Sequence, residues 1–161
     1  MRFLTPAVAL SLLAASAAAS AAGTVNVSFI EPDKFYDSGN NQFDKPVNLK
    51  TIESFLQDLG KRYLPDGQVL DIEVLNVDLA GYWRPTRQGD LRIVRGNADW
   101  PSFQLRYKLA ADGQAIKQGE ERVADMNYTD KIPTYSTREP LRHEKQMLDS
   151  WFRARFGAPP Q

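Results

Sequence analysis

The sequence predicts an α+β domain, a mainly antiparallel sheet of about five strands with two amphipathic helices packed on one face. Three observations predict it. Apolar residues alternate with period two in several short segments, and two longer segments carry them at helical spacing. One helical segment follows the first strand and the other closes the chain, with a run of strands between them.

The first strand is read from Val25, Val27 and Phe29, which alternate with Asn26 and Ser28. Glu31 to Val47 reads as a polar loop rich in Asp, Asn and Gly, with Pro32 and Pro46 near its ends. Asn48 is suited to cap a helix. There Leu49, Ile52, Phe55, Leu56, Leu59 and Tyr63 fall on one side, while Lys50, Glu53, Gln57, Asp58 and Lys61 fall elsewhere. Pro65-Asp66-Gly67 is expected to stop it.

Leu70, Ile72 and Val74 then share one strand face, and Leu75, Val77 and Leu79 continue in the other register. A change of parity within one apolar run predicts a bulge or a strand buried on both faces. Gly81 to Gly89 reads as a loop and Leu91 to Arg95 as a strand. Phe103, Leu105, Tyr107 and Leu109 form a further alternating strand. Asp112-Gly113 turns the chain back through Ile116 toward Val123. The last helix is expected to begin near Thr137 to Pro140, with Thr137 as cap and Pro140 in the first turn. Leu141, Leu148, Trp151, Phe152 and Phe156 form its stripe, and Gly157 ends it. Residues 158–161 are expected to fray.

The N-terminus has the order of a secretory signal. Arg2 supplies charge, Phe3 to Leu13 a short apolar core, and Ala14 to Ala22 a run of Ala and Ser ending in a small-x-small site. The apolar core is about half of the roughly 20 residues that a membrane span needs. Residues 1–22 are therefore expected to be a cleavable signal peptide, and residues 23–161 a single domain released into the periplasm without a transmembrane anchor. Twenty basic residues balance 20 acidic ones, and removing the signal takes away only Arg2. Such a balance gives no general attraction to nucleic acid or anionic membrane.

Composition and motifs exclude several chemistries. With no cysteine there is no disulfide, thiolate zinc site, iron–sulfur cluster or cysteine nucleophile. A single histidine, His143, falls away from the apolar stripe of the last helix and reads as a solvated surface residue. No G-x-S-x-G elbow accompanies it, and neither a Walker loop nor G-x-G-x-x-G is present. No cofactor is expected. The loop from Asp33 to Asp44 offers oxygen ligands to calcium, but not at EF-hand spacing, and turn-forming Asp and Asn account for it.

Two kinds of site stay open. Tyr82, Trp83 and Arg84 begin a basic, aromatic stretch that continues to Arg92 and Arg95. Arg92, alternating with Leu91 and Ile93, reads as solvent-facing. Trp100 enters a strand beside Pro101, and Asp125 and Tyr128 follow the hairpin; loops at one end of a rigid sheet are where binding residues collect. These six residues are the candidate partner contacts. Carboxylates are plentiful, and a pair of them can run glycoside hydrolysis; Asp78 and Asp125 are the pair to try first.

Val77-Asp78-Leu79-Ala80-Gly81, Trp100-Pro101, Glu120-Glu121, Asp125-Met126-Asn127-Tyr128, Pro140-Leu141-Arg142-His143-Glu144-Lys145 and Leu148-Asp149-Ser150-Trp151-Phe152 stand together in one chain. As a set they resemble domain of unknown function 3016, a family of exported proteins of Gram-negative bacteria. The likeness runs from about Val25 to Phe156 and implies a periplasmic home. It assigns no activity, ligand or catalytic residue. The expected function is a non-catalytic periplasmic domain that binds an envelope protein or glycan; the alternative is a small envelope hydrolase using the carboxylate pair.

Overall fold

The computed structural model describes residues 22–96 and 98–157. The expected signal peptide, apart from Ala22, and the expected fraying of residues 158–161 lie outside the described residues.

Strand β1 (Thr24–Phe29) is followed by a single 3-10 turn, Pro32–Lys34, and then by helix α1 (Asp44–Tyr63). The helix starts one turn earlier than its sequence pattern suggests. Asn41, not Asn48, satisfies its first donors: the Asn41 side-chain oxygen accepts from the N–H groups of Phe43 at 2.8 Å and Asp44 at 3.0 Å. Pro46 sits inside the first turn, where its missing N–H has no helical partner to lose. The helix ends at Tyr63, with Leu64 bonded to Gly60 and Pro65 beyond.

Because α1 carries the chain across and back, β2 (Gln68–Asp78) lies parallel to β1. The sheet is thus mixed, with the β1–β2 pairing parallel and the other pairings antiparallel, and it does not have the five strands expected. Strands β5 (Ser102–Ala111) and β6 (Gln114–Ala124) extend it antiparallel in the order β1-β2-β5-β6, four strands in all. The parity change in β2 is a bulge between Val74 and Asn76. It leaves Leu70, Ile72, Val74 and Val77 fully buried on either side of the extra residue.

The expected loop at Gly81 to Gly89 instead contains a strand. Tyr82–Thr86 (β3) pairs with Gly89–Ile93 (β4) in a separate two-stranded ribbon. Pro85 and the polar composition hide it from a pattern search, since the ribbon has no continuous apolar face. Helix α2 spans Arg142–Phe156. It begins later than the Thr137–Pro140 signal, because Leu141 takes a left-handed conformation (φ 54°) just before it.

The core joins Ile52, Leu56 and Leu59 of α1 with Leu148 and Phe152 of α2 and with the inward residues of β2 and β5, including Phe103 and Leu105. Each such side chain, taken fully from water, stabilises the fold by roughly 1.5–3 kcal/mol. Strand residues of the other parity stay polar. Arg106 there bridges Glu73 at 2.7 Å and Glu120 at 3.0 Å.

Candidate functional site

The last residue of β2 is where the chain's polar chemistry gathers. Asp37 lies alongside Asp78 in a parallel bridge: the Asp37 N–H donates to Val77 O at 2.9 Å, and Leu79 N–H donates to Asp37 O at 3.1 Å. Two carboxylates therefore leave adjacent backbones at one end of the sheet. The Asp37 carboxylate accepts from Gly39 N–H at 3.0 Å and from Arg92 Nη2 at 3.0 Å.

Arg92 is the hub of this end. Its Nε donates to Ala80 O at 2.5 Å, and its guanidinium lies 5.0 Å from the Trp83 ring centre. It is half-buried with Leu91 more exposed, the reverse of the solvent-facing role read from alternation. The reason is the ribbon: β3–β4 lies off the main sheet, so the inward side of β4 faces the end of β2 rather than an apolar core. On the other side of the same residue, Ala80 N–H donates to Glu144 Oε1 at 2.7 Å. Glu144 is only 3% exposed, and burial pushes its carboxyl above the usual range.

Around these groups lies an open concavity of about 530 Å³, walled by Tyr36, Asp78, Tyr82, Trp83 and Asp99. Arg95 backs the Tyr82 ring at 4.4 Å as Arg92 backs Trp83. Such cation–aromatic contacts fix ring orientation. Asp78 is half-buried; burial first, and then the Asp37 charge, raise its pKa, against the opposing pull of Arg122 and Arg92. The Trp83 indole N–H is buried and has no acceptor among the described residues.

Of the residues singled out in the sequence, Asp78, Tyr82 and Trp83 thus meet at one site. The others do not join them. Arg84 is exposed further along the ribbon, beside Leu91 and Ile93. Trp100 is half-buried before β5. Asp125 is 5% exposed and its carboxylate accepts from Lys131 Nζ at 2.7 Å. It directly follows β6, which β5 separates from Asp78 through the row Asp78–Ser102–Ala124, two strand spacings or about 10 Å across the sheet. Asp37, not Asp125, is the carboxylate beside Asp78.

Tyr128 is 3% exposed and donates its hydroxyl to Arg95 O at 2.5 Å, so it pins the loop carrying Arg95. His143 is not a solvated surface residue. It is half-buried, with its ring edge-on to Tyr128 at 4.9 Å, and burial and then Arg142 lower its pKa. The helix starts late, and the segment after β6 folds back over this face of it.

Sequence reasoning missed Asp37, Arg92 and Glu144. For Glu144 a signal existed, because it stands three residues after Leu141 and four before Leu148, on the apolar stripe. An acid at such a position needs a buried donor, and Ala80 supplies it. Asp37 and Arg92 meet only through tertiary structure.

In the Asp33–Asp44 loop several of the oxygen-bearing side chains are used within the fold. Asp37 holds Arg92, Asn41 caps α1, and Asp44 accepts from Asn41 Nδ2 at 2.7 Å. Among the described residues, no group of three or more histidine or carboxylate side chains is placed to hold a metal ion. Likewise no described helix is long and apolar enough to cross a membrane.

The segments that carried the family resemblance serve this architecture. Val77–Gly81 forms the sheet end, Glu144 holds Ala80, and Tyr128 pins Arg95. Glu121 accepts from Tyr107, Trp151 and Arg155 and so ties β6 to α2. Neither curated proteins nor solved structures provide a match to this chain. The family described as "Protein of unknown function (DUF3016)" matches residues 23–154, most of the chain, and the protein belongs to that family.

Proposed function

We propose that this is an exported, non-catalytic binding domain whose ligand sits in the concavity at the end of β2, between Tyr36, Tyr82, Trp83 and the carboxylate of Asp78. The observation that carries this reading is the convergence of three sequence-picked residues, Asp78, Tyr82 and Trp83, on one concave surface. The charge of Arg92 is already engaged by Asp37, Ala80 O and Trp83, so it scaffolds the wall. Asp78 and Asp99 line the concavity together with Lys45, a mixed set of acceptors and donors that suits a hydroxyl-rich ligand such as an envelope glycan, or a segment of an envelope protein carrying both charges.

Crosslinking in intact cells followed by mass spectrometry tests this. One dominant partner, lost in a folded Asp78→Asn or Trp83→Ala variant, is the expected result. A partner retained by both variants places the contact surface elsewhere. Export itself is checked by N-terminal sequencing of the periplasmic protein, expected to begin at Gly23; recovery with Met1 in place contradicts it.

A second reading has its own observation. Asp78, with its pKa raised by burial and by Asp37, stands beside a carboxylate that Arg92 and Gly39 hold, the unequal pairing that acid–base hydrolysis uses. Under that reading Asp78 donates the proton and Asp37 is its partner. Turnover of envelope glycan fragments that disappears in Asp78→Asn, while fragment binding persists, selects the hydrolase.

A further inference from the structure

A second cavity lies beside α2 and has the opposite chemistry. It measures about 280 Å³ and is walled by Tyr128, Thr129, Lys131, Tyr135, Arg142 and His143. None of its wall residues is a carboxylate.

Arg142 is held ready there. Its Nε donates to His143 Nε2 at 3.2 Å, while the His143 ring is stacked edge-on against the Tyr128 ring. An imidazole that accepts at Nε2 is neutral, so it orients the guanidinium without adding charge. Both terminal nitrogens of Arg142 remain, and among the described residues no carboxylate lies within ion-pair distance of it. A half-buried guanidinium without a counter-ion, fixed through Nε, offers a two-pronged fork for an oxyanion.

Its surroundings are accounted for. Lys131 gives one of its donors to Asp125 at 2.7 Å and keeps two. Asp149, on the far side of Tyr135, accepts from the hydroxyls of Tyr63 at 2.6 Å and Tyr135 at 2.7 Å. The helix start contributes nothing further, because Glu144 already occupies that end of α2.

The Thr129 hydroxyl already donates to Asp130 Oδ1 at 3.2 Å. We propose that this cavity is an oxyanion site that takes a phosphate group, with Arg142 as the bidentate contact and Lys131 as the supporting donor. It is independent of the sheet-end concavity and stands or falls separately from it.

The test is calorimetric titration of the exported protein with inorganic phosphate, alongside flotation with vesicles containing phosphatidic acid or only phosphatidylcholine. Each is repeated with Arg142→Gln and Arg142→Lys, and with Arg84→Gln as a control on the exposed ribbon. Saturable phosphate binding should weaken roughly 10- to 100-fold in Arg142→Gln and less in Arg142→Lys, with Arg84→Gln unchanged. Binding to phosphatidic acid vesicles alone, with the same variant pattern, supports the site and assigns its phosphate to a lipid headgroup. Absence of binding in both arms overturns the proposal. So does binding that Arg142→Gln leaves intact, with thermal melts showing that variant folded.

Discussion

Glu144 is the residue whose replacement reads most directly on how the sheet end is held. Its carboxylate is buried and accepts the N–H of Ala80 at 2.7 Å, the residue whose own carbonyl receives Arg92. Two substitutions separate its roles. Glu144→Gln keeps an acceptor at the same place and removes the ionisation. Glu144→Ala removes both, orphaning a buried N–H at a cost of about 1–3 kcal/mol. It also strips methylene packing worth roughly 0.8 kcal/mol per group. The alanine variant should therefore be about 2–4 kcal/mol less stable than the glutamine variant. At roughly 3–5 °C per kcal/mol for a domain of this size, that is a fall of about 10 °C in Tm.

The pH dependence supplies an independent check. Burial raises the folded-state pKa of Glu144 above its unfolded value, so between the two the native state holds a proton that the unfolded chain has lost. Its contribution to stability is thus greatest below the unfolded pKa and declines as pH rises through the folded one. Glu144→Gln abolishes that decline. Urea unfolding followed by tryptophan fluorescence from pH 4.5 to 8 measures both effects. The reasoning is refuted if the alanine and glutamine variants agree within about 0.5 kcal/mol, or if wild type and Glu144→Gln show parallel pH profiles.

Other expected outcomes follow from the same geometry. Gly81 has φ 86°, and a Cβ there would overlap the Ile93 carbonyl; Gly81→Ala should cost more than about 2 kcal/mol in urea unfolding and displace the ribbon. Burial tends to raise the Glu121 pKa, but hydrogen bonds from Tyr107, Arg155 and Trp151 outweigh it and hold the carboxyl below its ordinary value. Its stabilisation is present above the unfolded pKa and lost as pH falls through the folded one. Glu121→Gln should therefore cost about 1 kcal/mol at pH 7, and the loss should shrink as pH falls below the unfolded carboxyl pKa; a loss that does not change with pH would contradict the assignment. Tyr128→Phe removes the hydroxyl on Arg95 O; a loss of about 1 kcal/mol and faster amide exchange around Gly96 are expected.

Where burial alone decides structure, the sequence was legible. The stripe of α1, the β2 bulge and the Asp112-Gly113 hairpin are all written as apolar period or turn chemistry. The errors came where another force decides. Pro46 and the polar loop before it suggested a break, yet Asn41 starts the helix through side-chain bonds that periodicity does not report. β3 pairs only with β4 and buries no apolar face, so nothing in its pattern marks a strand. The parallel placement of β1 is a consequence of the crossover through α1.

At the site, Tyr82, Trp83 and Asp78 could be picked because aromatics and acids in loops are conspicuous. Their neighbours could not. Asp37 reaches Asp78 from 41 positions away in the chain, and Arg92 turns inward because its ribbon leaves the sheet. Tyr128 and Asp125 were conspicuous for a different reason: they hold the fold's own loops, with their polar atoms bonded inside it.

The central claim is that ligand contact occurs at the end of β2. Amide chemical-shift mapping on labelled residues 23–161, titrated with soluble fragments of digested cell-envelope glycan and with a soluble envelope-protein fraction, tests it most directly. The account predicts shifts that cluster at Tyr36, Asp78, Tyr82, Trp83 and Asp99 and vanish in Asp78→Asn. Shifts confined to the polar sheet face around Arg106, or saturable binding that leaves those five residues unmoved, would contradict it.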